Sequence, residues 1–147
     1  CVAEDGGLVE RPGAEVRWGY RETSLREPVA AVELKLTPET PEAVRERTRA
    51  ILREKAQAQP LGKRSAGCFF RNSAPEPAWR LIADAGLRGH RVGGAAVSEK
   101  HANFLINLGR ATAADVLSLS GAVRARVRDR WGIVLEHEVH CWPQTGN

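Results

Sequence analysis

Two prolines, Pro38 and Pro41, lie three residues apart in this chain of 147 residues. Each proline fixes φ and lacks a backbone N–H donor, so the pair ends any strand or helix that reaches it. Upstream of the pair the sequence is typical of short strands, and residues 29–36 (VAAVELKL) are predicted to form the clearest one. Downstream, Thr40 is predicted to cap a helix that runs to about residue 57. The proline pair therefore marks a structural boundary.

The rest of the chain alternates between helical and strand-like patterns. The predicted elements are a short helix over 76–85 that Gly86 ends, a strand or turn over 91–96, a strand over 103–108, a long helix after Thr112, and a final strand over 133–141. In the long helix, Asp115 follows Thr112 by three residues, which is the spacing of a capping box. Gly132 is predicted to end this helix, and its predicted apolar face consists of Val116, Leu119, Val123 and Val127. This order of strands and helices predicts an α+β fold.

The composition, 42% hydrophobic and 27% charged, is typical of a globular protein. No apolar run approaches the ~20 residues of a membrane span, and no signal-like pattern is present, so we expect no membrane protein. Three widely spaced cysteines, Cys1, Cys68 and Cys141, argue against a disulfide framework and favour the reducing cytoplasm. The net charge of +4 suits an anionic small molecule or a nucleic acid, but one Tyr and three Phe make a poor base-stacking surface.

Cys68 lies in the segment 65–72 (SAGCFFRN), where small residues let the backbone approach a ligand closely. A lone cysteine is most often an inert buried side chain. The neighbouring cations Lys63, Arg64 and Arg71 favour a more reactive thiol, because positive charge lowers a thiol's pKa. The segment alone leaves both interpretations open.

Two glycines, Gly93 and Gly94, open the segment 93–103 (GGAAVSEKHAN), which is similar to a loop that binds phosphate or another polar ligand. The segment has neither the Walker spacing nor the dinucleotide-binding pattern. A tight turn is the simpler explanation of the two glycines, so the segment is weak evidence for a binding site.

Residues 135–140 (LEHEVH) contain two histidines and two glutamates. An HExxH zinc site needs a second histidine four residues after the first, but position 141 is a cysteine. On a strand His137 and His140 point to opposite faces, so they are poorly placed to bind one ion. The pattern favours a functional carboxylate in this segment over a zinc site, and we expect no metal site.

Taken together, these segments resemble one family, the flavin-dependent UDP-N-acetylenolpyruvoylglucosamine reductases of bacterial cell-wall synthesis. The matching pieces occur in family order at 20–21 (YR), 59–61 (QPL), 65–72 (SAGCFFRN), 78–82 (AWRLI), 85–89 (AGLRG), 93–104 (GGAAVSEKHANF), 111–116 (ATAADV) and 135–139 (LEHEV). One such piece is weak evidence, whereas this many in order identify the chain as resembling the family along nearly its whole length.

The resemblance implies a reaction and the residues that carry it. The family reduces UDP-N-acetylglucosamine enolpyruvate to UDP-N-acetylmuramate for peptidoglycan synthesis; NADPH reduces bound FAD, which delivers hydride to C3 of the substrate. Arg21, which by itself would be a surface charge, and Glu138 would polarise the substrate carboxylate and stabilise the enolate. Cys68, where the family commonly has serine, would donate the proton. The implied substrate-binding residues are Tyr20, Asn72 and His101, with Lys63 and Arg71 as candidates for holding the diphosphate.

The resemblance also implies a division into domains. The family's N-terminal FAD-binding region, with its glycine-rich stretch, has no counterpart here, so residues 1–58 would end an FAD-binding domain and residues 59–147 would form the substrate-binding domain. FAD binding is expected to need the absent region. The expected partners are the enolpyruvyl nucleotide sugar and NADPH, and we expect a monomer that binds neither nucleic acid nor membrane.

Two other hypotheses from different classes stand beside the reductase. The first is a stand-alone module that binds a nucleotide sugar without redox chemistry. The second is a zinc or thiol redox protein that uses Cys68, His101, Glu138, His140 and Cys141.

Overall fold

The structure, a computed structural model, describes residues 1–72 and 76–142. The chain forms two compact units, Cys1–Thr40 and Pro41–Asn147. The boundary between them in the sequence coincides with the predicted proline boundary. Residues 73–75 and 143–147 lie outside the described residues, so the last five positions of the predicted domain 59–147 do too. The predicted α+β class is confirmed, whereas the domain division at residue 58 stays a prediction.

The first unit contains little regular structure. Its strands β1 (Trp18–Gly19) and β2 (Glu22–Thr23) form a short antiparallel hairpin, and a separate bridge joins Val2 to Leu8. The predicted strand over 29–36 is wrong: this stretch is irregular and its valines and leucines are at least half exposed. Its alternating pattern supplies strand propensity, but no described strand pairs with it, and a strand without a partner gains no ladder hydrogen bonds.

The second unit is built on a four-stranded antiparallel sheet in the order β3-β6-β5-β4. Its strands are β3 (Arg64–Cys68), β4 (Arg91–Val92), β5 (Ala95–Val97) and β6 (Phe104–Asn107), and its helices are α1 (Pro41–Ala58), α2 (Ala78–Asp84) and α3 (Ala113–Trp131). Helix α3 packs on β4, β5 and α2. None of the helices that the described residues form is both long and apolar enough to span a bilayer.

Helix α3 begins and ends where the sequence predicts. Thr112 and Asp115 form the capping box, and Gly132 ends the helix with a left-handed φ of 69°. Leu119, Val123 and Val127 are fully buried at the helical spacing, so the predicted apolar face is confirmed. This face covers the core that also includes Phe69, Phe70, Ala78, Leu81, Ile82, Leu87, Ala95, Val97, Ala102, Leu105 and Leu135.

The segment 133–141 is not the regular strand that the sequence predicts. Its one bridge joins His137 to Phe70, and the flanking residues are irregular. The alternation of apolar residues predicts that Ile133, Leu135, Val139 and Cys141 face inward. This holds for three of the four: Leu135 is buried and Ile133 and Val139 pack on the core, while Cys141 is exposed. Burial on one face thus does not require a continuous ladder.

The double glycine forms the turn of the β4–β5 hairpin and packs tightly against the start of α3. The Gly94 backbone N–H donates to the Asp115 carboxylate at 3.2 Å, and a Cβ built on Gly93 would meet the same carboxylate at 2.2 Å. A Cβ on Gly94 would lie 2.5 Å from the Ala111 backbone nitrogen. The tight-turn interpretation is therefore confirmed, because this space is already filled by the protein's own atoms.

Gly94→Ala is expected to destabilise the protein by about 2 kcal/mol or more, because backbone atoms must move to admit the methyl group. The matched control is Gly121→Ala in α3, where no atom lies within 4 Å of the new Cβ and alanine should add about 0.5–1 kcal/mol. Urea unfolding of both variants measures the difference. A Gly94→Ala protein as stable as the wild type would contradict this packing.

Candidate functional site

The segment 69–71, just after β3, lies between two other stretches of backbone. On one side the Phe69 N–H donates to the Asn103 carbonyl oxygen at 2.7 Å. On the other side the Glu138 N–H donates to the Phe69 carbonyl, and the Arg71 N–H donates to the Glu136 carbonyl, both at 2.9 Å. Antiparallel pairing of this kind brings the predicted residues at 68–72 and at 138 onto neighbouring backbone segments.

Cys68 is the last residue of β3 and follows a β-bulge. The register with β6 shifts between Ser65 and Cys68, and Gly67 within the bulge has a φ of +84°. Bulges redirect the side chains that follow them and are common beside active sites. Glycine is needed here because a left-handed φ strains other residues. Cys68 itself is half-buried, as an accessible but sheltered thiol must be.

Glu138 lies opposite Phe69, and Phe69 is the residue that directly follows Cys68. In an ideal antiparallel ladder, with strands ~4.8 Å apart and a rise of ~3.3 Å per residue, residues in this register have Cα atoms roughly 6 Å apart. Glu136, two residues earlier, forms an exposed ion pair with Arg71 at 3.8 Å. The predicted cation at position 71 is thus already held by a carboxylate, and such an exposed pair stabilises little.

His101 lies half-buried between aromatic rings, with its centroid 4.9 Å from Phe104 and 6.3 Å from Trp79. The Asn103 N–H donates to His101 Nδ1 at 3.4 Å, a bond that the neutral imidazole accepts. Burial, and then the Arg88 charge, lower the pKa of His101 below its ordinary 6.5. At neutral pH His101 is therefore an uncharged side chain with its Nε2 as the donor end.

His137 lies between Phe69 and Phe70, with ring centroids 5.3 and 5.4 Å away. Its Nε2 is buried with no hydrogen-bond partner among the described residues. Burial, and then Arg124, lower the pKa of this imidazole below 6.5. Arg124 also donates from Nε to the Leu135 carbonyl at 3.0 Å, so α3 holds the segment that carries Glu138. The sequence predicts no role for His137 or Arg124, because nothing local to these two residues predicts these contacts.

The two lowered histidine pKa values predict that acid destabilises the protein. Because the folded state holds both imidazoles neutral, the unfolded state binds more protons below pH 6.5, and stability falls as the pH drops from 6.5 towards the lowered values. Asp115 and Glu27 also have lowered pKa values, but their contributions are lost only below their ordinary values of 3.8 and 4.5.

Urea unfolding between pH 7.5 and about 5 isolates the histidine effect from the carboxylates. The urea midpoint should fall over this range, and His137→Gln should flatten the fall. His140→Gln, a change at an exposed histidine, is the control and should leave the slope unchanged. A midpoint that does not move between these pH values would contradict the prediction.

Tyr20 and Arg21 form the two-residue turn of the β1–β2 hairpin in the first unit. Arg21 has a φ of 61°, and no other non-glycine residue that the structure describes has a positive φ. Its guanidinium lies 5.6 Å from the centre of the Tyr20 ring. A non-glycine residue in this conformation is strained, and such strain is frequent at functional positions.

Lys63 lies just before β3 and Cys68 at its end, so the strand separates them by about 16 Å. The second unit therefore brings Cys68, Asn72 and Glu138 onto paired segments and leaves Lys63 apart. Among the described ranges 1–72 and 76–142, no three His, Cys, Asp or Glu side chains converge as a metal site needs. The five residues named for zinc or thiol chemistry thus do not form one cluster.

Together these features define a class of protein: an α+β domain whose antiparallel sheet packs against helix α3 and carries a thiol, a carboxylate and amides on adjoining segments. Residues 59–142 match the family described as "UDP-N-acetylenolpyruvoylglucosamine reductase, C-terminal domain". The chain belongs to this family.

Individual relatives agree with this assignment. A UDP-N-acetylenolpyruvoylglucosamine reductase of Geobacter metallireducens is 44% identical over 137 residues, covering 92% of this chain and 46% of the relative. A UDP-N-acetylenolpyruvoylglucosamine reductase 2 of Symbiobacterium thermophilum is 46% identical over 141 residues, with the same coverage. The crystal structure of the Thermus caldophilus reductase matches with a TM-score of 0.72 at 36% identity, covering 96% of this chain and 51% of that one. The chain spans about half the length of the curated relatives it matches.

Proposed function

We propose that this chain is the substrate-binding part of a UDP-N-acetylenolpyruvoylglucosamine reductase. The enzyme would reduce UDP-N-acetylglucosamine enolpyruvate to UDP-N-acetylmuramate for peptidoglycan synthesis in the cytoplasm. The observation that carries the proposal is the pairing of residues 69–71 with residues 136–138, because it joins the two motifs that contain Cys68 and Glu138. No observation favours a binding module without redox activity.

Three residues of this chain would act on the substrate. Arg21, and Glu138 as a protonated carboxyl that donates a hydrogen bond, would polarise the enolpyruvyl carboxylate, where negative charge develops as the double bond is reduced. Cys68 would hold a proton at Sγ and donate it to C2. A thiol with a reference pKa of ~8.5 is mostly protonated at neutral pH, so it can carry out this step. The half-buried position of Cys68 and the strained backbone of Arg21 are consistent with these roles.

The nucleotide-sugar part of the substrate would be held by Tyr20, Asn72 and His101. The neutral His101 and the Asn72 amide supply hydrogen bonds without charge, which suits sugar hydroxyls and carbonyls. Lys63 and Arg71 remain candidates for the diphosphate, but Arg71 would first have to release Glu136.

The proposal requires FAD and NADPH, as the family implies. Within this chain, an open pocket of about 300 Å³ lies beside the β1–β2 hairpin, lined by residues that include Arg17, Trp18 and Arg26. This volume is at the lower end for small-molecule sites and too small for a dinucleotide such as FAD. This pocket by itself does not fit FAD, and the proposal assigns the hydride donor to the rest of the enzyme.

Calorimetric titration of this chain with UDP-N-acetylglucosamine enolpyruvate tests the proposal. Binding is expected with a Kd of roughly 1 μM to 1 mM, and Asn72→Ala should weaken it about tenfold. The matched control is Asn107→Ala, a change at an asparagine that bonds to the Gly109 and Ala111 backbone instead. A folded chain that binds no enolpyruvyl nucleotide sugar would contradict the proposal.

A further inference from the structure

Asn103 is a fully buried polar residue at the start of β6. Its Oδ1 accepts from the Phe70 N–H at 2.9 Å, and its Nδ2 donates to the Phe70 carbonyl at 2.7 Å. The side-chain amide thus bonds to Phe70 as a neighbouring strand residue would, with one donor and one acceptor. It extends the pairing between β3 and β6 beyond the bulge at Gly67.

The same side chain reaches a predicted substrate-binding residue. Asn103 Nδ2 also donates to Asn72 Oδ1, at the longer distance of 3.4 Å. This contact turns the oxygen of the Asn72 amide towards the protein interior. Because a buried polar group without partners costs about 1–3 kcal/mol, the two amides strongly prefer the arrangement that satisfies both.

We propose that Asn103 is a positioning residue for the substrate site: through its bonds to Phe70 and Asn72, it fixes residues 70–72 against the segment that leads into β6 and sets the orientation of the Asn72 amide. The proposal rests on the proposed function, because Asn72 binds substrate only in that account. Asn103 itself lies in the interior with no exposed surface, so it acts through Asn72 and the backbone rather than by contact with the ligand.

Asn107 on the same strand gives a matched control. Its Oδ1 accepts from the backbone N–H groups of Gly109 and Ala111 at 2.7 and 3.0 Å, so it also fixes a loop by side-chain hydrogen bonds. That loop leads to α3 and not to residues 68–72. Asn103→Ser and Asn107→Ser therefore both remove structural hydrogen bonds, but only the first should change the substrate site.

The experiment measures substrate affinity of the whole chain by calorimetry in a mutant cycle. Asn103→Ser should weaken binding of UDP-N-acetylglucosamine enolpyruvate about tenfold, and Asn107→Ser by less than about twofold. In an Asn72→Ala background, Asn103→Ser should add less than about threefold, since the two residues act together. Equal effects of the two serine variants, or additivity with Asn72→Ala, would overturn the proposal.

Nuclear magnetic resonance of the wild-type chain decides the question without depending on folding of a variant or on substrate binding. The Asn103 side-chain NH₂ protons should exchange slowly and show nuclear Overhauser contacts to Phe70 and Asn72. If the wild type binds no substrate, the proposed function fails, and these contacts still support the positioning of Asn72. Fast-exchanging Asn103 side-chain amide protons with no contact to Asn72 would overturn the proposal that Asn103 positions Asn72.

Discussion

Glu138→Ala is expected to lower turnover about 10²–10³-fold while changing the substrate KM only severalfold. The assay uses a hybrid enzyme that joins this chain to the half of the Geobacter metallireducens reductase that it does not match. We expect turnover to change more than KM because the Glu138 carboxyl would interact most strongly with charge that develops during the reaction. Its loss therefore affects the transition state more than the bound substrate.

Glu136→Ala is the matched control for Glu138. Both glutamates belong to the same segment, and the Glu136 side chain pairs with Arg71 at the surface. Its removal should change turnover less than about threefold, because an exposed ion pair stabilises little. If Glu138→Ala and Glu136→Ala reduce turnover equally, the segment matters for folding and the catalytic role of Glu138 is wrong.

Cys68→Ala should also abolish most activity, by about 10²–10⁴-fold, because a general acid contributes a factor of this size. Cys68→Ser should restore turnover to within about tenfold of the wild type, since a hydroxyl occupies the same position and can donate a proton, though less readily than the thiol. Steady-state oxidation of NADPH by the hybrid enzyme measures both variants.

N-ethylmaleimide distinguishes Cys68 from Cys141. It should inactivate the wild type, substrate should protect, and Cys68→Ser should be resistant. Cys141→Ser, a change at an exposed thiol, should leave both the activity and the inactivation unchanged. A Cys68→Ala enzyme with normal turnover would contradict the assignment of Cys68 as the proton donor.

Local signals predicted local structure well. The α3 boundaries were predictable because Thr112, Asp115 and Gly132 act within a few residues of themselves. Residues 29–36 were predicted wrongly because a strand depends on a partner that local sequence does not reveal. In the segment 133–141 the alternation predicted which side chains are buried, but not that the backbone would make only one bridge.

The candidate site shows the same division. Local sequence drew attention to the segments of Cys68 and Glu138, but the roles of these two residues came only from the family resemblance. The role of Asn103 could not be predicted, since its bonds reach Phe70, 33 residues earlier in the chain. The burial of His137 Nε2 depends likewise on rings and on a helix distant in sequence. Locally, Asn103 stands out only because it directly precedes the apolar run 104–106.

The oxidative half-reaction of the hybrid enzyme tests most directly whether this chain supplies the substrate site of the reductase. The FAD-loaded hybrid is first reduced with NADPH, which establishes that the joined protein folds and holds its cofactor. UDP-N-acetylglucosamine enolpyruvate is then added in a stopped-flow experiment. We expect the flavin to be reoxidised rapidly. Glu138→Ala should slow this reoxidation, and Glu136→Ala should not. A hybrid that NADPH reduces but the enolpyruvyl substrate does not reoxidise would contradict the proposed function.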